Sequence, residues 1–399
     1  MKFYRLFILS FIAVLGISFT DAYSQNSWPL EATELSVPDI KNNGEVEEFT
    51  DSLSQFYDFL SDNPTIRLAV VLSDIYSKKD MEFTRGMLLG MKHSGMPEGS
   101  VSLKIINGQI PEDSLRFELS TFEPDVIIST FEKDTPISMN SYSQLNSSTL
   151  INAFSTKGDD YLYNKNSFQL LSPSDVFNQE ISKYILENFK GNTLVLIGEP
   201  DPTDTQIREL ILSWPEEELM IVDKSDLKLF SLDEGVNYLI YPLSSSKDEV
   251  TEILKRMLEL LGETPSAGLK IFGRPNWIAF NDLPSLISNL ELFLPAKCYF
   301  DPQTESSKRF IVDYNTSYGH TPIRSYPVYA VMGYDTATYF FPKLYEQIKG
   351  NEIEWEDSNR NQSFFSLKKS ERGGHYNSGS LILHYEPWGT ISKVLINED

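Results

Sequence analysis

From Ile66 onward, short apolar runs alternate with longer stretches whose apolar residues recur every three or four positions. IRLAVVLS (66–73), VSLKIING (101–108), DVIIST (125–130), TLINAFS (149–155) and SFQLLSPSD (167–175) are each short enough to predict a strand buried in a parallel sheet. Between them, KDMEFTRGMLLGMKHS (79–94) carries Met81, Met87, Leu88 and Met91 at helical spacing, and PEDSLRFELSTF (111–122) reads as a shorter helix. PSDVFNQEISKYILENF (173–189) predicts a third helix, opened by Pro173 and Ser174 and closed before Gly191.

A second series follows at once. NTLVLIGEP (192–200), ELMIVD (218–223), NYLIYPLSS (237–245), GLKIFGRP (268–275) and ELFLPAKCYF (291–300) predict strands; 203–214, 247–262 and about 303–318 predict helices. Such sustained alternation implies parallel sheets with helices on both faces, and two series imply two Rossmann-like α/β lobes. SPSD (172–175) and LPAKCYF (294–300) each interrupt one series and open another, so the chain is expected to cross between lobes near 172, 297 and 345. Lobe 1 then holds 64–172 and 297–345, and lobe 2 holds 173–296 and 346–399. Within the last fifty residues, EIEWED (352–357), SFFSLKK (363–369), HYNSG (375–379) and SLILHYE (380–386) predict an antiparallel edge ribbon on one lobe.

The first residues have a different pattern. Lys2 and Arg5 precede an apolar run from Leu6 to Phe19 and then TDAYSQ, the three regions of a secretory signal peptide, with cleavage after Ser24. The run is shorter than the ~20 residues that span a bilayer. Residues 25–63 read as a polar leader with one helix. The expectation is a periplasmic or secreted protein without membrane insertion.

Charge narrows the partners. Against 34 Lys+Arg the chain carries 57 Asp+Glu, a formal net of -23, which repels phosphate backbones and excludes nucleic acid as a general partner. The single cysteine, Cys298, rules out an internal disulfide and reads as a buried, inert thiol. His375 and His384 could lie on neighbouring strands and hold a metal, but beside Tyr376 and Tyr385 they read as half-exposed hydrogen-bonding residues. The turn in IRLAVVLSDIYSKKD contains no glycine, so no dinucleotide or phosphate cradle forms there. With no G-x-S-x-G elbow and no H-E-x-x-H, neither an enzyme nor a metal or cofactor site is expected. The aromatics from Tyr326 to Tyr345 fall at helical spacing and read as core.

The segment DPQTESSKRFIVDYNTSYGHTPIRSYPVYAVMGYDTATYF (301–340) carries a Y-A-x-x-G-Y-D run at Tyr329, Ala330, Gly333, Tyr334 and Asp335. FTRGMLLGMK (83–92) places Gly86 and Gly90 where a first helix packs closely, FQLLSPSD (168–175) looks like a lobe crossover, and GGHYNSGSLILHYE (373–386) looks like a closing ribbon. In these features the chain resembles the type I periplasmic binding proteins, the branched-chain amino-acid receptor kind, over roughly 64–399. The resemblance implies a non-catalytic protein whose two lobes close on a small polar, amino-acid-like solute for transport or sensing, with a membrane permease as partner. Two features depart from the family pattern. The third strand ends IISTFEKDT (127–135) without the family's I-G-P turn, and the second lobe opens with GEPDPTDT (198–205). These departures leave room for an alternative, an envelope scaffold that keeps the fold without small-ligand binding.

A cleft in this architecture lies beyond the carboxyl ends of the strands. In the first lobe its loops carry Ser73, Asp74, Tyr76, Ser129, Thr130, Phe131, Ser155, Thr156 and Tyr161; in the second, Ser244, Asn276 and Trp277. Hydroxyls would orient a polar solute and aromatic faces would cover its apolar part. Asp74 and Glu199 are candidate partners for an ammonium group.

Overall fold

The computed structural model describes residues 66–396 except 158–161, 281–282, 288, 372 and 388. The expected signal peptide, leader and leader helix, and the candidate Tyr161, lie outside the described residues.

The first series runs β1 (Ile66–Leu72), α1 (Lys78–His93), β2 (Val101–Asn107), α2 (Glu112–Phe122), β3 (Val126–Ser129), α3 (Ile137–Asn146), β4 (Thr149–Asn152) and β5 (Ser167–Gln169). These strands pair in parallel in the order β2-β1-β3-β4-β5. The period of two in β1 divides its side chains between two cores. Leu68, Val70 and Leu72 join Phe83 and Met87 of α1 on one face; Ala69 and Val71 join Leu115, Leu119 and Met139 of α2 and α3 on the other.

The second series runs α4 (Ser174–Asn188), β6 (Thr193–Ile197), α5 (Thr205–Ser213), β7 (Leu219–Val222), β8 (Asn237–Pro242), α6 (Lys247–Glu263), β9 (Gly268–Phe272), α7 (Leu283–Leu286) and β10 (Glu291–Ala296). Its strands pair in the order β7-β6-β8-β9-β10, the same winding as the first sheet. Val195 and Ile197 of β6 pack toward Val250, Ile253 and Met257 of α6, whereas Leu194 and Leu196 pack toward Phe177, Ile181 and Ile185 of α4.

Two further helices, α8 (Glu305–Tyr318) and α9 (Tyr329–Ile348), return to the first core. The aromatics Tyr339, Phe340 and Phe341 of α9 are buried there, as their helical spacing predicts. Glycines set the approach of α9 to α1. A Cβ at Gly86 would fall on the carbonyl oxygen of Ala330, one at Gly333 on that of Phe83, and one at Gly90 within 2.7 Å of the Tyr334 oxygen.

The C-terminal strands are β11 (Ser358–Asn359), β12 (Phe364–Phe365), β13 (Leu367–Lys369), β14 (His375–Asn377), β15 (Ser380–Tyr385) and β16 (Ile391–Ile396). They do not form one ribbon on one lobe. β14 adds parallel to β5 and β13 pairs with β14, so both belong to the first sheet, while β15 and β16 extend the second sheet from β10. The last passage between sheets is therefore at Ser378–Gly379 and not near 345, and 352–357 contains no strand. Buried Asn377 fixes this passage. Its Nδ2 donates to the carbonyls of Leu170 and Phe364, and its Oδ1 accepts the N–H of Ser366 and Gly379. Gly379 is needed because a Cβ there would lie 2.5 Å from the Phe364 oxygen.

The passages are cross-linked. Lys297 Nζ donates to the Ser172 carbonyl at 2.7 Å, and Tyr299 N–H donates to the Gln362 carbonyl at 2.9 Å. The fully buried Asp335 carboxylate accepts the N–H groups of Asn361, Gln362 and Ser363. No helix among the described residues is long and apolar enough to cross a membrane.

Candidate functional site

In a sheet wound in this order the connections from two adjacent central strands leave toward opposite faces, opening a crevice beyond their carboxyl ends. In the first sheet that switch point lies between β1 and β3, and in the second between β6 and β8. The chain leaves each sheet from the carboxyl end of β5 or β10 into a cross-linked passage. Both carboxyl edges consequently border the region between the lobes.

At the first switch point Ser73 and Asp74, with the buried Ser129 and Thr130, lie around a residue that the sequence reading passed over, Asp80. Ser73 N–H donates to Thr130 Oγ1 at 2.8 Å; Ser73 Oγ and Asp74 N–H donate to Asp80 Oδ2 at 2.9 and 2.8 Å. The Asp74 carboxylate in turn accepts the N–H of Tyr76 at 3.0 Å. Burial raises Asp80 above the ordinary carboxylate range, opposed by the Asp74 N–H and the hydroxyls of Ser73 and Thr130. The turn after β1 thus closes on a carboxylate where a nucleotide-binding turn would use glycine. The signal was present: Ser77 and Asp80 have S-x-x-D capping spacing before the apolar run of α1. Asp80 reaches back beyond Ser77, however, and α1 has no side-chain cap from Ser77.

The other first-lobe candidates are dispersed. Phe131 is half-buried and packs on the α2–α3 side, against Gly108. Ser155 is buried; its Oγ donates to the Lys133 carbonyl and accepts the Lys157 N–H. Thr156 is half-buried beside the passage, its carbonyl accepting the Ser174 N–H at 3.0 Å.

The second crevice holds a cavity of about 290 Å³ lined by Gly198, Glu199, Asp223, Lys224 and Leu243. Gly198 adopts φ +113, a conformation that side chains disfavour, so glycine keeps the end of β6 open. Charged pairs surround it: Lys224 with Glu249 at 2.5 Å, and Arg274 with Asp204 at 3.0 Å. Asp204 also caps α5, accepting from the N–H of Gln206 and Ile207. Glu199 lines this cavity and Asp74 lies in the other crevice.

Trp277 requires a correction. It has no exposed surface, and its indole N–H donates to the Ser244 carbonyl at 3.1 Å within the second core. An apolar indole with one donor is satisfied there, so it offers no face to a solute in this arrangement. Ser244 Oγ donates to Glu249, and exposed Asn276 donates to the Ser245 carbonyl.

His375 and His384 stand on strands of different sheets. His375 stacks on Phe168; His384 stacks on Phe293 and contacts Glu291 at 2.9 Å. Among the described residues no group of three or more His, Cys, Asp or Glu is placed to hold a metal. Cys298 is buried, and burial pushes its thiol up to about 12.

No protein-family model matches the chain, and no curated protein matches it. Solved structures do. A branched-chain amino-acid ABC transporter periplasmic ligand-binding protein from Burkholderia xenovorans aligns over 83% of this chain and 95% of its own, at 12% identity and a TM-score of 0.53. An ABC transporter substrate-binding protein from Desulfitobacterium hafniense aligns over 82% and 99%, at 14% identity and a TM-score of 0.50. LpoA from Haemophilus influenzae aligns over 88% of this chain and 63% of its own, at 10% identity and a TM-score of 0.52. The chain has the two-lobed α/β fold of the type I periplasmic binding proteins.

Proposed function

We propose that this is an exported, non-catalytic solute-binding protein whose two lobes close on a small polar ligand, uncharged or zwitterionic and amino-acid-like, for delivery to a membrane permease or for sensing. The observation that carries the reading is the pair of switch-point crevices, one beside half-buried Ser73 and Asp74, the other a cavity lined by Glu199, Asp223 and Lys224, with Arg274 bonded to the carbonyl of its lining Leu243. Such convergent polar groups at strand ends suit orientation of a small molecule. The fold shared with periplasmic substrate-binding proteins supports the same reading. Ser73, Asp74, Tyr76 and Thr156 are half-buried and are the first-lobe groups proposed to meet ligand.

A second reading, a scaffold that retains the fold without a small ligand, draws on one observation. Ser129 and Thr130 have no exposed surface, and Thr130 is engaged by Ser73. Melting the mature chain against amino acids, sugars and nucleosides separates the two. A ligand at a hundred times its Kd adds about 2.7 kcal/mol. Shifts confined to a few chemically related solutes support binding; a flat response across the library transfers the assignment to the scaffold.

A further inference from the structure

A second recess lies on elements that the proposed cleft does not use. We infer that the groove between α8, α9 and the segment at the end of β11 (359–361) binds a small, multiply charged oxyanion carrying carboxylate or phosphate groups. Its volume is about 690 Å³, within the range that holds small organic ligands. Three basic side chains converge on it from three parts of the fold: Arg309 from α8, Arg360 from just after β11 and Lys393 from β16 of the second sheet. In a chain of net charge -23 such a convergence runs against the general field.

Among the described residues, none of the three forms an ion pair with a carboxylate. Arg360 lies over the Tyr339 ring at 5.5 Å, and its Nε is buried without a hydrogen-bond partner among the described residues. Among the described residues, Lys393 Nζ donates to the Tyr299 carbonyl at 3.4 Å and lies over the ring of the same residue. Three acids face them: Asp313 and Asp335 line the groove, Asp301 and Asp335 act on Lys393, and both oxygens of Asp335 already accept backbone N–H groups. The Ser306 hydroxyl and the exposed His93, whose Nδ1 is 3.2 Å from Tyr334 Oη, complete the polar wall, where the Thr338 hydroxyl already donates to the Tyr334 carbonyl. Guanidinium groups and hydroxyls around a partly enclosed volume suit a ligand with several charged oxygens. Because Lys393 belongs to the second sheet and exposed Arg309 is carried by α8, whose Phe310 and Tyr314 pack into the first core, one bound anion would touch both lobes. The inference stands whether or not the cleft binds solute.

Isothermal titration of the mature protein with citrate and with pyrophosphate tests it, against sodium chloride at matched ionic strength. Saturable one-to-one binding of either probe is expected, and which probe binds more tightly assigns carboxylate or phosphate as the ligand's charge carrier. Arg309→Gln and Lys393→Gln together should weaken that binding at least tenfold, while Arg116→Gln, which removes a charge on exposed α2, should leave it unchanged. Circular dichroism and native melting verify that the double variant is folded. No heat beyond that of chloride, or an equal loss in Arg116→Gln, would overturn the assignment.

Discussion

Replacing Gly333 by alanine sets two magnitudes of opposite sign against each other. In an unconstrained helix interior the change is worth about 1 kcal/mol in favour of folding, since alanine loses less backbone entropy. Here the new methyl would overlap the Phe83 carbonyl oxygen and lie 2.8 Å from the Met87 nitrogen. Both are backbone atoms of α1, so no side chain can rotate away, and α1 and α9 must separate along a seam lined by Phe83, Met87, Ala330 and Val331. Overpacking of a close-packed core costs about 1–3 kcal/mol and rises when backbone must move. The steric term wins, with a net loss of about 2 kcal/mol. For a cooperative unit the size of one lobe that lowers the melting temperature by roughly 4–8 °C. Gly262→Ala is the internal control: it lies in α6, and a Cβ there meets nothing within 4 Å. It should raise stability by up to about 1 kcal/mol. Gly86→Ala, on the same seam, should be as harmful as Gly333→Ala, and the two together less harmful than their sum because one separation serves both. Calorimetry and urea denaturation read all four proteins. The packing argument fails if Gly333→Ala melts with the parent, or if Gly262→Ala falls as far.

Other consequences are smaller or more local. Asp80→Ala leaves the Asp74 N–H and the Ser73 hydroxyl without their acceptor and should cost about 1–3 kcal/mol in urea denaturation; an unchanged midpoint would contradict the pinning role of Asp80. Burial pushes Asp335 up to about 6 from 3.8 despite three backbone donors. The folded state therefore holds a proton that the unfolded chain releases, a contribution present below about pH 4 and lost as pH rises through 6, on the order of 3 kcal/mol. The stability difference between parent and Asp335→Asn should change over that interval and be flat above pH 7. Cys298 should resist a thiol reagent at pH 8 in the native protein and react once unfolded. For the proposed cleft, Thr156→Val should weaken a solute identified by melting about tenfold while leaving the unliganded melting point near that of the parent.

The alternation that marked two lobes was legible because strand burial and helical spacing are local properties, whereas the close packing at Gly86 and Gly90 was expected only through the family resemblance. The C-terminal segment misled because short strands such as HYN (375–377) carry no mark of the sheet they will join. That choice depends on Asn377, whose four hydrogen bonds connect residues as distant as Leu170. Trp277 was misplaced for a related reason. An indole after a strand end can face the cleft or the core, and only the position of the Ser244 carbonyl, 33 residues away, decides. The oxyanion groove was invisible in the sequence, since Arg309, Arg360 and Lys393 lie far apart along an acidic chain until the fold brings them together.

The two crevices also differ in what they can offer a zwitterion, and the difference follows from Asp80. A helix N-terminus is ordinarily a carboxylate site, because its N–H groups and dipole favour negative charge. In the first lobe that role is already filled: the Asp80 carboxylate sits in the first turn of α1 and takes the Asp74 N–H. A second carboxylate there would meet a like charge in a partly desolvated setting, which is unfavourable by the same Coulomb term that attracts an ammonium group. The second lobe is the reverse, with Arg274 and Lys224 near the ends of β9 and β7, each paired with one acid and exposed enough to exchange partners. On the proposed reading a zwitterionic solute would therefore lie with its ammonium toward Asp74 and Asp80 and its carboxylate toward Arg274. Arg274→Gln should then weaken the zwitterion more than its amide or ester derivative, whereas Asp74→Asn should weaken both alike. Equal losses in all four combinations would show that the lobes do not divide the charges in this way.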